Sequence, residues 1–417
     1  FYFESKKNME RFSNQRKLLE EVKNLGVRYI KLWKWYNVKR VNFVDEGLED
    51  LNKIDPRDDI EIWLKKNSRI LFKKIEYWYS FFEDQNIKIH LNAHEVGSSN
   101  IIRQIALTKL DGCSIGKLRS VPRKIQGDWF GYYPNNSFFV WGKDSAEGMA
   151  KTENYFENLI ISGYPYSNNK DLQKKELELI KNRFKKKNVK FTLLLIDSVH
   201  EKNDNYRSQV IPSKVMLRFY EYFFDWLYSD KDIGIIIKSK YSDNLYSIPK
   251  IKNLLTKAKQ TERCHVVATY GTESKFYSPI ADFSIGISVD MPTGLIQTAI
   301  SGSRAIIYDY TNLKNKEKNL YSWGENKIIF GNLNELIDNL KSFKEKNNFD
   351  QDLGDWSKKI SVIDSFCDNR GGERIGKYIR DVQKSFDEGL SSRESLKNAN
   401  KNYAHKWGEN QIVKQGI

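Results

Sequence analysis

From residue 281 to residue 309 the chain reads Ala281-Asp-Phe-Ser-Ile-Gly-Ile-Ser288-Val-Asp290-Met-Pro-Thr293-Gly294-Leu-Ile-Gln297-Thr-Ala-Ile-Ser-Gly-Ser-Arg304-Ala-Ile-Ile-Tyr-Asp309. The apolar run 283–287 has the length and β-branched content of a buried strand. It enters a loop carrying Ser288 and Asp290, and Pro-Thr-Gly then opens a helix over 293–301. The small residues Ala299 and Gly302 permit tight packing, and a second strand follows over 304–308. A helix start presents N–H groups without intrahelical acceptors and a partial positive charge. With Thr293 as cap or first-turn hydroxyl, it suits a phosphate, although a core helix with no ligand is built the same way.

Working outward, the same alternation recurs. The run 189–196 reads as a strand ending at Asp197, followed by a helix over 212–228 and a strand over 233–238. Residues 250–258 read as helix, 264–268 as strand, and 334–346 and 374–388 as late helices. In the first half, helices are expected over 14–24, 60–84 and 100–110, and strands over 27–32, 87–91, 113–115 and 138–141. Strand–helix alternation of this kind predicts mostly parallel sheets covered by helices. The fold class expected is therefore α/β. Gly148, Gly163 and Pro165 mark 142–169 as the boundary region. Three parts are expected: an acceptor-side domain over 1–142, a nucleotide-binding Rossmann-like domain over 143–370, and helices over 371–417 packing back across the domains.

A chain of 417 residues with 40 % hydrophobic and 13 % aromatic residues can fill two cores. Three cysteines, Cys113, Cys264 and Cys367, lie far apart and form no CxxC pair, a pattern suited to a reducing compartment. No signal-peptide layout opens the sequence, and the longest apolar runs are far short of a bilayer span. A soluble, cytoplasmic protein is expected. The charge of +15 is spread over helices and carries no nucleic-acid motif, so solvated helix faces account for most of it. Attraction to an anionic membrane or to a phosphorylated substrate comes next, and nucleic acid is not expected.

The 281–309 segment resembles the donor-nucleotide loop and helix of GT-B glycosyltransferases. Those families often carry a Glu in this helix that holds the donor ribose, and Gln297 occupies the comparable place. Phe139-Val-Trp-Gly142 is similar to the strand entering their interdomain hinge, and Ile161-Ser-Gly-Tyr-Pro165 to the turn entering the C-terminal domain. Asp368-Asn-Arg-Gly-Gly-Glu-Arg374-Ile-Gly-Lys-Tyr-Ile379 resembles the late turn and helix of bacterial surface-polysaccharide transferases, including the CDP-glycerol glycerophosphotransferase-like group. The resemblance covers roughly residues 138–379. It implies two Rossmann-like domains facing a cleft, a nucleotide sugar as co-substrate rather than a cofactor, and a glycan or lipid-linked acceptor. A CMP-linked 3-deoxy sugar acid such as Kdo is the donor first suggested. CDP-polyol phosphate transfer of the teichoic-acid type is the second reading, set lower because Lys238-Ser-Lys240 lacks the His usual there. A non-catalytic scaffold of GT-B shape is a third.

The donor-side candidates are Lys238, Lys240, Ser288, Asp290, Thr293, Gly294 and Gln297. Lys238 and Lys240 stand at the carboxyl end of a strand, where open α/β sheets bind ligands, and an ammonium there can offset phosphate charge. A solvated strand end is the simpler reading of both. His200, after the strand that ends at Asp197, reads either as an exposed loop residue or as a contact to the donor. In the first half, His90-Leu-Asn-Ala-His94-Glu95 delivers His94 and Glu95 to a strand end, with His90 structural. Glu95 reads as a helix-capping carboxylate or as the general base for an acceptor hydroxyl, and His94 can share that role. Arg119, Arg123 and Asp128 fall in a polar loop. Neither Asp230-Lys-Asp232 nor Asp350-Gln-Asp352 sits at a strand's carboxyl end, so no metal is expected. HExxH, P-loop, GxSxG and GxGxxG patterns are absent.

Overall fold

A computed structural model describes residues 2–3, 24, 30–31, 35, 37–92, 98–120, 133–151, 156–166, 170–197, 211–239, 242–267, 276–288, 292–313, 320–346 and 350–413. The chain divides into two compact units. The first comprises residues 1–92, 97–115 and 386–394; the second holds 93–96, 116–385 and 395–417.

In the first unit, two short strands, β1 (Tyr2–Phe3) and β2 (Ile30–Lys31), pair in parallel. Helices Asn42–Lys53 and Asp59–Asp84 precede β3 (Ile89–Asn92), and helix Ser98–Lys109 leads into β4 (Cys113–Lys117), which lies beside β3. Asp58 begins the long helix by accepting from the Glu61 N–H, and the acidic residues Asp59 and Glu61 complement the first turn. The core packs Ile75, Trp78, Phe81 and Phe82 of that helix on Ile102, Ala106 and Leu107. His90 is buried in β3, its Nε2 3.0 Å from the Asn92 Oδ1. Burial holds its imidazole neutral by pushing its pKa down to about 4, with the nearby Arg103 charge adding to the effect.

The second unit is built on a six-stranded sheet in which every pairing is parallel. Its strands are β7 (Phe191–Ile196), β8 (Ile233–Lys238), β9 (Cys264–Val266), β10 (Phe283–Ile287), β11 (Ala305–Tyr308) and β12 (Ile329–Phe330), in the order β12-β11-β10-β7-β8-β9. Read from β9 the order is third, second, first, fourth, fifth, sixth, which is the Rossmann arrangement with its reversal between β7 and β10. Strands buried on both faces need continuous apolar runs, and Phe-Thr-Leu-Leu-Leu-Ile in β7 and Ile-Gly-Ile-Ile-Ile in β8 supply them. Helix Ser213–Ser229 covers one face through Phe219, Tyr220 and Phe223. Helices Lys170–Lys186 and Thr293–Ile300 cover the other through Phe184, Leu295 and Ile296.

The same unit holds β5 (Ser137–Val140), parallel to β6 (Asn158–Ile161), and β13 (Ile412–Val413), antiparallel to β6. The expected boundary region 142–169 contains helix Lys143–Ala150 and β6. Two motifs read separately from the sequence meet here. Arg374 of helix Gly371–Asp387 donates to the Ser162 carbonyl at 3.1 Å, pairs with Asp368, and lies 3.5 Å above the Phe366 ring. Glycine is required at Gly371, because a Cβ would come within 2.6 Å of the Gly163 carbonyl oxygen, and Gly163 itself turns at φ +77.

Candidate anion site at the sheet reversal

In an open parallel sheet, loops leave in opposite directions where the strand order reverses, and a crevice opens at the carboxyl ends. Here that point lies between β7 and β10, with a helix start beside it and a lysine at the end of the next strand, β8. Helix Thr293–Ile300 starts there, and the Gly294 Cα lies close enough to β7 that a Cβ would stand 3.4 Å from Ile196 Cγ2. Gly286 makes this approach possible, since a Cβ there would come within 3.1 Å of both Leu295 and Pro292. Pro292 occupies the cap position and offers no side-chain acceptor; its carbonyl accepts from Leu295 and Ile296. Thr293 is thus the first helical residue rather than the cap, and the helix start keeps its positive end.

Lys238 closes β8 in register with Ile196 of β7. Side chains alternate along a strand, and Ile236, two residues earlier, packs with Leu295 and Ile296. Lys238 therefore points to the same layer as the helix start, two strands away, about 10 Å across the sheet. Among the described residues its ammonium has neither a carboxylate nor a hydrogen-bond acceptor. Burial alone pushes its pKa down from the usual lysine value to about 8. An unpaired cation in such surroundings is costly for the fold and strongly favourable to an arriving anion.

The polar group at the end of β7 is arranged differently. Asp197 is buried and accepts from the Tyr220 hydroxyl at 2.7 Å, on the opposite face of the sheet. Burial, with the Asp197 carboxylate adding to it, holds the Tyr220 phenol well above its usual pKa. Ser288, after β10, continues the ladder by donating its N–H to the Tyr308 carbonyl at 3.0 Å. Gln297, placed on the donor side by the sequence, donates to the hydroxyl of buried Tyr164. Tyr164 packs edge-on against Trp141 at 4.9 Å, so Gln297 ties the helix to the turn after β6. Sequence reading did not find the Tyr164 and Tyr220 partners, because nothing in local spacing joins residues 133 and 23 positions apart.

The remaining candidates His94, Glu95, His200, Lys240 and Asp290 lie outside the described residues, as do Arg123 and Asp128. Asp230 and Asp232 are ion-paired with Lys344, and Asp350 and Asp352 with Lys327, which accounts for both acidic pairs structurally. Among the described residues no group of three or more His, Cys, Asp or Glu comes together, and no helix is long and apolar enough to cross a membrane.

Fold and site thus define an α/β protein with a Rossmann-type sheet that carries a helix start at its reversal point and a lysine at the end of the strand next to it. No protein-family model matches the chain, and no curated protein does. Among solved structures it is similar to Staphylococcus aureus MnaA with UDP, at a TM-score of 0.48 and 13 % identity over 91 % of this chain and 94 % of that one. It is also similar to the wall teichoic acid polymerase TagF with CDPG, at a TM-score of 0.44 and 13 % identity over 73 % of each chain. A third likeness is to Anabaena Alr3699/HepE with UDP and glucose, at a TM-score of 0.43 and 8 % identity over 87 % of this chain and 88 % of that one. None reaches a TM-score of 0.5, too loose a likeness to assign chemistry.

Proposed function

We propose that this chain is a metal-independent glycosyltransferase of the GT-B type that moves a sugar from a nucleotide-activated donor to a cell-surface glycan or lipid-linked acceptor. The observation that carries the reading is the Lys238 ammonium, which has no acceptor among the described residues, set on the same sheet face as the Thr293–Gly294 helix start near the strand-order reversal. Both features favour the phosphates of a bound donor, and their attraction strengthens as the nucleotide departs with added negative charge. The sequence resemblance supplies the reaction class. The loop of Glu95 and His94 supplies the proposed base, which takes the acceptor hydroxyl's proton as that oxygen bonds to the anomeric carbon. His200, Lys240 and Asp290 complete the proposed donor side. The donor proposed is a CMP-linked 3-deoxy sugar acid such as Kdo, whose carboxylate suits basic surroundings. The place of action proposed is the inner face of the cell membrane.

Donor hydrolysis and transfer assays with CMP-, UDP-, GDP- and ADP-sugars test this, with CDP-glycerol included to detect polyol-phosphate transfer. Turnover of a nucleotide sugar is expected. Gly294→Ala is the companion variant: its methyl makes ordinary contact with Ile196, so stability should hold while nucleotide affinity falls several-fold. Absence of binding by every nucleotide would remove the proposal, and turnover of CDP-glycerol alone would replace it with the phosphotransferase reading.

A further inference from the structure

The turn after β6 carries two tyrosines with different partners. Tyr164 is buried, packs edge-on against Trp141 and accepts from Gln297 of helix Thr293–Ile300. Tyr166 is half-buried, with its ring centroid 5.4 Å from that of Tyr164, and its hydroxyl accepts from the Lys117 ammonium at 2.7 Å. Lys117 closes β4, and its ammonium also lies 4.4 Å from the centroid of the Tyr166 ring. Lys117, Trp141, Tyr164, Tyr166 and Gln297 all belong to the second unit.

Trp141 holds this arrangement from both sides. Its indole N–H donates to the Leu118 carbonyl at 3.0 Å, and the Leu118 N–H donates to the Phe139 carbonyl at 2.8 Å, so the backbone beside Lys117 is fixed. The same indole packs on Tyr164, whose partner Gln297 stands about 6 Å along the helix from its start. The turn that carries Tyr166 is thus anchored to the helix whose start faces the proposed donor phosphates.

An ammonium has three N–H donors, and a phenol hydroxyl can accept and donate at once. Tyr166 accepts from Lys117 and keeps its own proton, while Lys117 keeps two N–H groups. Among the described residues neither has a further hydrogen-bond acceptor, and Lys117 has no carboxylate partner. A cation–π contact needs only the ring. The hydroxyl adds a second donor 2.7 Å from the first, a fork suited to two oxygens of one oxyanion. We propose that Lys117 and Tyr166 bind the acid group, carboxylate or phosphate ester, of a negatively charged sugar substrate. The substrate class rests on the sugar-transfer reading; the fork stands on these two residues.

Calorimetric titration of the full chain with matched ligands tests it. UDP-glucuronate against UDP-glucose reports an acid on the donor. Glucuronate and glucose-6-phosphate against glucose, with and without UDP, report an acid on the acceptor and separate carboxylate from phosphate. Wild type should favour at least one acidic ligand over its neutral counterpart by about tenfold or more. Lys117→Met should bring that ratio close to one, and Tyr166→Phe should lower it at least about threefold. Tyr166→Phe discriminates against a purely structural pair, because the ring and its cation–π contact remain and only the O–H is lost. Lys238→Met should weaken both UDP-sugars and leave their ratio as in wild type. Equal affinity of wild type for acidic and neutral ligands, or an unchanged ratio in either fork variant, would overturn the proposal. Failure of every nucleotide to bind would remove the sugar-transfer reading, and the free sugars would still decide the fork.

Discussion

Two neighbouring strands of the six-stranded sheet end at the same level and treat their terminal charges in opposite ways. β7 ends in Asp197, whose carboxylate is buried and held by Tyr220 at 2.7 Å. β8 ends in Lys238, in register with Ile196, and its ammonium faces the other layer with no acceptor among the described residues. A buried charge that is satisfied inside the protein secures the fold, whereas one left unsatisfied lowers stability and waits for a counter-ion. The pair therefore contrasts two strand ends about one strand spacing apart: Asp197 anchors helix Ser213–Ser229 to the sheet, and Lys238 is the residue proposed to receive an anion.

The largest effects should come from Lys238→Met. Removing the ammonium should weaken nucleotide binding by roughly 10- to 100-fold, the worth of a charge-assisted contact. The same change should raise stability near neutral pH by up to about 3 kcal/mol, because the fold no longer shelters a cation whose pKa it depresses. The sign follows from the direction of the shift. Burial penalises the charged form, so the penalty is complete below about pH 8 and fades as pH rises toward the unfolded value of 10.5. Chemical denaturation of both proteins across pH 7 to about 10.5 checks this, with the gap between them closing at the alkaline end.

Tyr220→Phe should act the other way. Loss of the hydroxyl leaves Asp197 short of a donor and should cost about 1–3 kcal/mol of stability, while nucleotide affinity stays within about twofold of wild type. Denaturant midpoints and calorimetric titration on one preparation check both halves. A large loss of affinity with unchanged stability would break the distinction between the two strand ends.

Much of this sheet could be read from sequence because its strands are buried on both faces and carry unbroken apolar runs. β8 and β10 occupy the residues expected, 233–238 and 283–287, and helix Thr293–Ile300 begins where Pro-Thr-Gly placed it. Lys238 could be singled out in the sequence because it ends an apolar run, and the structure places it at the end of β8. Edge and connecting elements were harder. β6 and helix Lys143–Ala150 fall in the region 142–169, marked as a boundary by Gly148, Gly163 and Pro165, and Gly163 serves a left-handed turn that Gly371 approaches closely. Helix Asn42–Lys53 was not expected; Val44 is its one buried residue and its composition is polar, whereas helix Ser392–Trp407 falls within the helices expected over 371–417. Gln297 was assigned to the donor by its place in the helix, but its partner Tyr164 stands 133 residues earlier, a relation only the folded chain reveals.

The most direct test of the anion site is calorimetric titration of UDP, CDP and CMP into wild type and Lys238→Met at several pH values between 7 and 9. Wild type should bind at least one nucleotide, with affinity falling as pH passes about 8, and Lys238→Met should bind it more weakly with no such fall. Equal affinities and equal pH profiles in the two proteins would contradict the account.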